Sequence, residues 1–405
     1  MPIRRRTFIG SILASSLSAF GVSNALAQSG KPHVAVIGAG AFGGWTALSL
    51  LRSGAKVTLL DAWGPGNSRS SSGGESRVIR HAYGKAIYVD MVKRSLELWH
   101  EANEAWDRPL FHQSGVLHLT QSRFMDYLRT ERALLVDAGV PHEVIDHDEL
   151  VRRYPQINMD KIEAALYEPT AGYLLARRAC QVVFDAFLRE GGDYIASYVH
   201  PGDIAGGRMS NIALSVGATL SADQFVFACG PWLKSMFPDV LGPHLTISRQ
   251  EMFYFGTPAE DHRYDAGSLP VWTDLGDTIW YGIPGGEQRG FKIADDAHGP
   301  AHDPSTAGRT VSAEGVKAAG DYLAYRFPGL KGAPLIESRV CQYTNTPDGD
   351  FIADRHPDAD NTWLLGGGSG HGFKHGPALG EMVAAQVLGE QPLEKTFALS
   401  RFAKR

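Results

Sequence analysis

The sequence lacks the features of a disulfide-rich, nucleic-acid-binding or metal-binding protein. Its 405 residues include three cysteines, Cys180, Cys229 and Cys341, which are too few for a disulfide framework. No tract of lysine and arginine follows the N-terminal residues, so nothing predicts a surface that follows phosphates, and we expect no nucleic-acid partner. Histidine, cysteine and carboxylate residues show no metal-ligand spacing, so we expect no metal site. Internal repeats and low-complexity segments are also absent.

The remaining composition is that of an ordinary globular protein. Apolar residues make up 43% of the chain and charged residues 20%, and the net charge is −5. This length and composition are sufficient for a large core and favour two domains. Cys229 ends an apolar run at residues 225–229, which predicts a buried strand with the cysteine as a small core residue.

The N-terminal residues are typical of a targeting segment. Arg4, Arg5 and Arg6 precede a moderately apolar run at residues 9–22 and a small-x-small site at residues 25–27, which is a signal-peptide pattern. The paired arginines resemble a twin-arginine signal, whose machinery carries folded proteins. An ordinary secretory signal or a single anchor helix is the alternative, but the run is short for a membrane span. We predict a twin-arginine signal peptide at residues 1–27, the export machinery as a partner and a periplasmic location.

A nucleotide-binding pattern follows this segment. An apolar run at residues 33–37 leads directly into Gly38, Gly40 and Gly43 with G-x-G-x-x-G spacing, and a second apolar run ends at Asp61. The glycine spacing alone is a weak signal. Between a strand and a helix, and with an acid at the end of the next strand, it predicts a βαβ dinucleotide-binding unit.

Each residue of this unit has a physical task. Gly38 permits the tight turn, Gly40 lets the backbone approach a pyrophosphate, and Gly43 lets the helix pack close to the strand. Asp61 can accept hydrogen bonds from a ribose. The motif does not choose between NAD and FAD. Export favours FAD, because a tightly held flavin can travel with the folded protein, whereas the soluble nicotinamide pool is mainly cytoplasmic.

The chain after Asp61 resembles a known flavoprotein family. Residues 70–84 read SSSGGESRVIRHAYG and residues 367–374 read GGSGHGFK. Shorter matches lie at residues 154–157, 168–172, 249–250, 281–284 and 341–344. The sequence is similar to the monomeric sarcosine oxidase and N-methyltryptophan oxidase family, within the D-amino-acid-oxidase-like flavoproteins. The resemblance covers nearly the whole chain beyond the signal segment.

This resemblance implies an α/β fold with a Rossmann-type FAD-binding domain and a second, sheet-based α+β substrate domain. The FAD-binding domain would be discontinuous, built from residues 31–85, 165–240 and 338–400. The substrate domain would comprise residues 86–164 and 241–337. The relatives also lead us to expect a monomer. Apolar residues at helical spacing between Tyr88 and Trp106 agree with this organisation, since they predict a core-facing helix.

The resemblance also implies how the substrate is held. Arg80 and Lys374 match the pair that grips the substrate carboxylate, for which an arginine offers a planar fork and a lysine a point charge. A structural ion pair is the alternative for each. Arg77 matches the arginine beside the flavin ring, where its charge would favour the reduced anionic flavin. A phosphate contact or a structural contact is the alternative for Arg77.

Further matches concern oxygen, the cavity and the cofactor. Lys292 matches the lysine that activates oxygen, although a lysine alternating with apolar residues on a strand is often solvent-facing. Tyr281 and Tyr343 would line the substrate cavity, or belong to the core. Cys341 matches the cysteine that forms a thioether to the flavin 8-methyl carbon; the alternative is a free cysteine with dissociable FAD. Three glycines before Lys374 complete the flavin-side loop of the match: Gly367, Gly370 and Gly372.

Two positions depart from the family pattern. Gly73 stands where close members carry a histidine beside the flavin, and Asp296 stands where some carry a histidine in the substrate pocket. An acid there would alter substrate preference. The sequence therefore predicts an exported flavoprotein that oxidises the C–N bond of a small carboxylated amine and reduces O2 to H2O2. A dehydrogenase with a quinone or protein acceptor and a flavin-binding protein without turnover are the alternatives.

Overall fold

The computed structural model describes residues 31–106, 108–276, 279–287 and 289–403. The predicted signal peptide at residues 1–27 lies outside these residues. None of the described helices is long and apolar enough to cross a membrane. Residues 32–405 form one compact unit that contains both large sheets, so the domain boundaries expected from the resemblance stay a prediction.

Helices and strands are numbered in chain order. The helices in the described residues are α1 (Ala41–Arg52), α2 (Ala86–Ala105), α3 (Met125–Asp137), α4 (His147–Arg153), α5 (Ala176–Arg189), α6 (Leu233–Met236), α7 (Pro238–Leu241), α8 (Ala313–Arg326) and α9 (Gly376–Val387). The strands are β1 (His33–Ile37), β2 (Lys56–Asp61), β3 (Ser76–Ile79), β4 (Phe111–His112), β5 (Val116–Gln121), β6 (Glu143–Asp146), β7 (Ile162–Glu168), β8 (Gly172–Leu175), β9 (Asp193–Ala196), β10 (Val199–His200), β11 (Ile204–Ala205), β12 (Arg208–Met209), β13 (Asn211–Leu214), β14 (Thr219–Ser221), β15 (Gln224–Phe227), β16 (Thr246–Phe255), β17 (Val271–Leu275), β18 (Ile279–Ile283), β19 (Phe291–Asp295), β20 (Leu335–Asn345), β21 (Ile352–His356) and β22 (Ala359–Gly366).

A six-stranded sheet holds the predicted nucleotide-binding unit. Its order is β21-β22-β15-β1-β2-β9, and β22, β15, β1, β2 and β9 run parallel. The inner strands are continuous apolar runs because helices cover the sheet, and α1 packs between the sheet, α9 and α5. Strands β2 and β15 pair with β1 on opposite sides. The strand order therefore reverses at the carboxyl end of β1, and parallel sheets bind ligands at such switch points.

An eight-stranded sheet forms the second layer of the fold. Its order is β20-β16-β19-β18-β17-β5-β7-β6, antiparallel except for the parallel pair β17 and β5. Helix α8 packs on this sheet over a second apolar core. Strands β20 and β19 carry Cys341, Tyr343 and Lys292, and this sheet therefore supplies one wall of the site.

Local predictions are confirmed with two differences. The stripe from Tyr88 is buried along α2, but Trp106 caps the helix and is only partly buried. Strand β15 is buried as predicted and ends at Phe227. Cys229 therefore lies beyond the strand, is partly exposed and lines a cleft. Cys229 packs against the core beside the six-stranded sheet, so the prediction of a core cysteine is confirmed in part. It is not in the strand, because the apolar run continues past the last residue that pairs in the sheet.

Candidate active site

The turn after β1 forms one end of a long cleft. Gly38 has φ +108°, and a Cβ there would lie 2.4 Å from the carbonyl oxygen of Ala228. A Cβ at Gly43 would lie 1.9 Å from the oxygen of Gly38, so α1 can approach the turn only with glycine at this position. Gly40 caps α1 without a side chain. The first-turn N–H groups and the positive end of the helix dipole are thus presented at this cleft.

The cleft encloses about 1220 Å³ of empty space, including part that is open to solvent. Asp61 lines it, and its carboxylate accepts N–H bonds at 2.8 Å from Ala39, Trp63 and Gly64. Burial raises the pKa of Asp61, and these three hydrogen bonds oppose that effect. The carboxylate is therefore fixed against the glycine turn, where a ribose would meet it.

Arg77 and Cys341 meet further along the same cleft. The Arg77 guanidinium donates to the carbonyl oxygens of Ser76 and Ser71, each at 2.8 Å. Its Nη2 also lies 3.5 Å from the Cys341 sulfur. Both side chains line the cleft. The cysteine is a free, buried thiol, and the arginine is held by backbone oxygens instead of a carboxylate partner.

The Gly-rich loop after β22 lies against the glycine turn and carries Lys374 inward. Gly367, Gly370 and Gly372 all line the cleft. The buried Lys374 ammonium donates to the Tyr83 hydroxyl at 2.7 Å and to the His371 carbonyl oxygen at 3.0 Å. Burial, followed by the charge of Arg80, lowers the pKa of Lys374 well below its ordinary value of 10.5. An anion bound here would reverse this shift.

Arg80 also contacts the Tyr83 ring. Its guanidinium carbon is 4.3 Å from the centre of that ring, which is a cation–π contact. The nearest carboxylate is Glu131, at 3.7 Å from Nη1, which is too far for a hydrogen bond. Among the described residues, the Arg80 side chain has no hydrogen-bond acceptor, although Nη1 is buried. The guanidinium thus presents unused donors beside Lys374.

Lys292 is buried, with 1% of its surface exposed. The solvent-facing alternative is therefore wrong, because β19 lies inside the eight-stranded sheet and β3 covers this face. Its ammonium donates to the Ser76 carbonyl oxygen at 2.9 Å and lies 5.3 Å from the centre of the Tyr281 ring. Burial, followed by the charge of Arg77, lowers the pKa of Lys292 well below 10.5.

Tyr343 connects the cleft to an acid. Its ring lines the cleft, and its hydroxyl donates to Asp296 Oδ1 at 2.7 Å. Burial raises the pKa of Asp296, whereas the bond from Tyr343 and the charges of Arg80 and Lys374 lower it. The term polar cluster is used below for seven polar side chains of this region: Arg80, Tyr83, Tyr281, Lys292, Asp296, Tyr343 and Lys374. Of these, only Tyr343 lines the nucleotide cleft among the described residues.

The comparisons with known proteins identify the family. The family described as FAD dependent oxidoreductase matches residues 33–386. The chain belongs to this family. It is 31% identical over 362 residues to the monomeric sarcosine oxidase of Streptomyces avermitilis, an alignment that covers 88% of this chain and 93% of that protein. It is 30% identical over 392 residues to the N-methyl-L-tryptophan oxidase of Salmonella heidelberg, covering 92% of this chain and 100% of that protein.

Solved structures agree on the fold. The L-proline dehydrogenase from P. horikoshii is similar with a TM-score of 0.80 and 21% identity, covering 92% of this chain and 98% of that one. The family resemblance and the fold class expected from the sequence are both confirmed: a Rossmann-like FAD domain with mixed α/β sheets and a second, sheet-based domain.

The cleft of this FAD-dependent oxidoreductase fits the cofactor of its family. The start of α1, where Gly40 caps the helix without a side chain, presents N–H donors to a pyrophosphate, and the Ala41 N–H donates to Ser72 Oγ at 3.1 Å. Asp61 lies next to it, and the cleft continues to Arg77 and Cys341. FAD, when bound, supplies the acceptor for a hydride equivalent. Within the described ranges, no group of three or more His, Cys, Asp or Glu side chains is placed to hold a metal ion.

Sequence reasoning missed a buried network that positions Arg80. Glu168 is fully buried and accepts the backbone N–H groups of His81 and Ala82 at 2.7 and 3.0 Å. It also contacts the His81 ring at 2.8 Å and the His118 ring at 2.9 Å. Burial raises the pKa of Glu168, but the bonds from His118 and His81 outweigh this and hold it well below its ordinary value. The only signal in the sequence was the position of Glu168 in a family-like segment.

Proposed function

We propose that the protein oxidises the C–N bond of a small amino acid or N-alkyl amino acid. The product imine is hydrolysed to a carbonyl compound and an amine, and O2 is reduced to H2O2. The curated relatives named above are oxidases of sarcosine and of N-methyl-L-tryptophan, and both of these substrates carry a carboxylate beside an N-methyl amine. The reaction is thus one on a CH–NH group.

The observation that carries this proposal is the unused guanidinium of Arg80. It is stacked on Tyr83, has no hydrogen-bond acceptor among the described residues, and shares this tyrosine with the Lys374 ammonium. A buried donor without a partner costs about 1–3 kcal/mol. A substrate carboxylate would accept from the guanidinium fork and restore the charge of Lys374. A plain amine would supply no carboxylate to either cation.

The remaining groups of the polar cluster support an oxidase. Lys292 is a buried amine with a single backbone acceptor, positioned beside Ser76 and Arg77. A fixed cation at such a place favours the negative charge that develops as oxygen is reduced. Tyr281 lies against the Lys292 ammonium, and Tyr343 donates to Asp296, so the lysine and the acid each contact a tyrosine of the polar cluster.

A substrate panel tests this function. Purified holoenzyme is mixed anaerobically with sarcosine, N-methyl-L-tryptophan, L-proline and primary amino acids, and flavin bleaching is recorded; peroxide is then measured in air. We expect bleaching with at least one N-alkyl amino acid and about one H2O2 per turnover. Bleaching without peroxide, but with reduction of a quinone dye, would establish the dehydrogenase instead. No bleaching with any compound would support a flavin-binding protein without turnover.

Arg80→Gln and Arg94→Gln form a matched pair for this assay. Arg94 is an exposed arginine that bonds to Glu381 and Glu97 on the surface. We expect Arg80→Gln to raise KM for the carboxylated substrate by about a hundredfold, in line with a lost charge-assisted hydrogen bond pair. Arg94→Gln is expected to leave KM unchanged. Equal KM values in the two variants would refute the proposal that Arg80 and Lys374 bind the substrate carboxylate; this pair is called the carboxylate clamp below.

We also propose covalent FAD through Cys341, export by the twin-arginine route and a monomeric state. The position of Cys341 supports covalent attachment, since this cysteine lines the cleft beside Arg77.

Arg4 and Arg5 support export by the twin-arginine route. A fusion of residues 1–30 to a reporter should be exported only in cells with an intact twin-arginine system. Sedimentation of the mature protein tests the monomeric state, and the expected result is the mass of one chain.

A further inference from the structure

The polar cluster contains one acid among its cations. Asp296 follows β19, the strand of Lys292, and its backbone N–H donates to Ile279 at 2.7 Å. Its Oδ1 accepts from Tyr343 at 2.7 Å. Its Oδ2 accepts no hydrogen bond from any described residue. The acid therefore has one oxygen fixed by a tyrosine of the cleft wall and one oxygen that can still accept a proton.

One short loop, residues 370–374, contacts both the tyrosine that binds Asp296 and the lysine of the carboxylate clamp. A Cβ on Gly370 would lie 2.7 Å from the Tyr343 ring, so this loop packs directly on the tyrosine that holds Asp296. The next residue, His371, accepts the Lys374 ammonium on its carbonyl oxygen. The charges of Arg80 and Lys374 both act on Asp296 and lower its pKa, which places the acid near the two groups that would hold a substrate carboxylate.

The proposed reaction requires an amine with a free lone pair. An alkylamine has a pKa of about 10, so an amino acid arrives at neutral pH as an ammonium zwitterion. Only about one molecule in a thousand is the neutral amine at pH 7. Unless the site binds this rare form, some group must take a proton from the ammonium before the C–H bond can be broken.

We propose that Oδ2 of Asp296 takes this proton. The ammonium N–H bond breaks, an O–H bond forms on Asp296, and the electron pair stays on nitrogen as the lone pair that oxidation requires. The inference rests on the proposed function and deepens it, because it makes the zwitterion of an α-amino acid the species that binds.

The electrostatics of the cluster support this role. Burial raises the pKa of Asp296, which makes it a stronger base than an exposed carboxylate. The substrate carboxylate adds a negative charge, which partly cancels the charges of Arg80 and Lys374 that oppose this shift. The titratable and charged groups that face Asp296 from the surrounding elements are Arg80, Tyr83, Tyr281, Lys292, His298, Tyr343 and Lys374.

The other groups of the cluster are less suited to accept the proton. Burial raises the pKa values of Tyr83, Tyr281 and Tyr343, so these phenols stay protonated. Lys374 already contacts the bound carboxylate in the proposed complex, which favours its ammonium form. The Lys292 ammonium already donates to the Ser76 carbonyl oxygen and lies 5.3 Å from the centre of the Tyr281 ring. The free carboxylate oxygen is the remaining acceptor.

The pH dependence of flavin reduction tests the inference. The ratio of the limiting reduction rate to the substrate dissociation constant is measured anaerobically with sarcosine, or with the best substrate of the panel, between pH 6 and pH 10. With Asp296 as acceptor, the wild-type ratio is flat between the pKa of Asp296 and that of the amine, because zwitterion and ionised acid react together. Asp296→Asn keeps the oxygen that accepts from Tyr343 but loses the base. Its ratio should rise about tenfold per pH unit and approach the wild-type value near pH 10.

Two further variants sharpen the result. Asp295→Asn removes the adjacent carboxylate, whose Oδ1 accepts from the Ala297 N–H, and should keep the flat profile. Tyr343→Phe removes a bond that lowers the pKa of Asp296, so the acidic limb of the profile should move to higher pH. A wild-type profile that already rises tenfold per unit, or an Asp296→Asn profile that stays flat, would overturn the inference.

A second readout does not depend on turnover. Enzyme reduced beforehand with dithionite cannot oxidise sarcosine, and its infrared difference spectrum with and without sarcosine should show a protonated carboxyl C=O band. This band should be absent in Asp296→Asn and present in Asp295→Asn. If the wild-type flavin is bleached by no amino acid, the proposed function fails. If it is bleached but the profiles and the band do not differ between these variants, only the role of Asp296 fails.

Discussion

The phenol of Tyr83 contacts two cations. The Arg80 guanidinium carbon is 4.3 Å from the centre of its ring, and the Lys374 ammonium donates to its hydroxyl at 2.7 Å. Tyr83 and Lys374 are 291 positions apart in the chain. One aromatic side chain therefore holds both proposed carboxylate ligands without neutralising either of them, which leaves their charges available to a substrate.

Tyr83→Phe should weaken substrate binding more than turnover. The variant keeps the ring under Arg80 but removes one of two acceptors of Lys374, so the buried amine loses its proton more readily. A hydrogen bond to a charged group contributes about 1.5–3 kcal/mol, and we expect KM to rise roughly ten- to a hundredfold while kcat changes little. Tyr325→Phe is the control, since that exposed tyrosine donates to Asp160 at 2.8 Å. An unchanged KM in Tyr83→Phe would contradict the positioning role.

Cys341→Ser should convert a covalent flavin into a dissociable one. After acid precipitation, the wild-type pellet should keep the yellow colour, whereas the variant should release its flavin into the supernatant. Cys180→Ser is the control, because Cys180 is also a free, buried thiol but does not line the cleft. Release of flavin from the wild type would show that the proposed thioether does not form and that Gly73 marks a real departure from the family.

Lys292→Met should slow oxygen reduction selectively. The loss of a preorganised charge at a reacting centre costs about 10²–10³-fold in rate, and we expect this fall in reoxidation of the reduced enzyme by O2, measured by stopped flow. Flavin reduction by the amine should change far less. Since the pKa of Lys292 is lowered, the wild-type reoxidation rate should decline as pH rises and the cation is lost, whereas the variant should be flat. Lys317→Met, at an exposed ion pair with Asp321, is the control. Full oxygen reactivity in Lys292→Met would remove the lysine from this role.

His375→Phe should make the fold less sensitive to acid. His375 is fully buried among the rings of Tyr83, Tyr88 and Phe351, and neither ring nitrogen has a hydrogen-bond partner in the part of the chain that the structure describes. Burial lowers its pKa well below 6.5, so the folded state keeps it neutral while the unfolded state gains a proton. Its contribution to stability is thus present above pH 6.5 and is lost as pH falls toward the lowered folded-state pKa.

The measurement is Tm between pH 4 and pH 8. The free energy of unfolding of His375→Phe near pH 7.5 should exceed that of the wild type by on the order of 1 kcal/mol, because two unsatisfied nitrogens are removed. Its Tm at that pH should be correspondingly higher. Its Tm should also fall less steeply below pH 6.5. Some acid sensitivity should remain, since burial and Lys374 lower the pKa of His371 to about 3. His262→Phe, at an exposed histidine, is the control. Identical slopes for the His375 variant and the wild type would refute this account.

Much of the fold was predictable from local patterns. The apolar runs at residues 33–37 and 57–61 with the glycines between them specified a βαβ unit, since each glycine answers a steric demand that acts within a few residues. The stripe along α2 was predictable for the same reason, because helical periodicity is local. The ends of elements were less certain, and Cys229 shows why: an apolar run does not record where hydrogen bonding to the neighbouring strand stops.

By itself, the sequence determined the nucleotide unit, the family and the residue types that carry the site, including the acid at Asp296. Only the tertiary structure decided what each side chain contacts. It buried Lys292 beneath Ser76, placed Arg80 and Lys374 on one tyrosine, and bonded Asp296 to Tyr343. Alternation along a strand assigns side chains to a face, but it contains no information about the distant segment that covers that face. Burial, charge pairing and the resulting pKa shifts depend on that covering segment, and they arise only when the chain is folded.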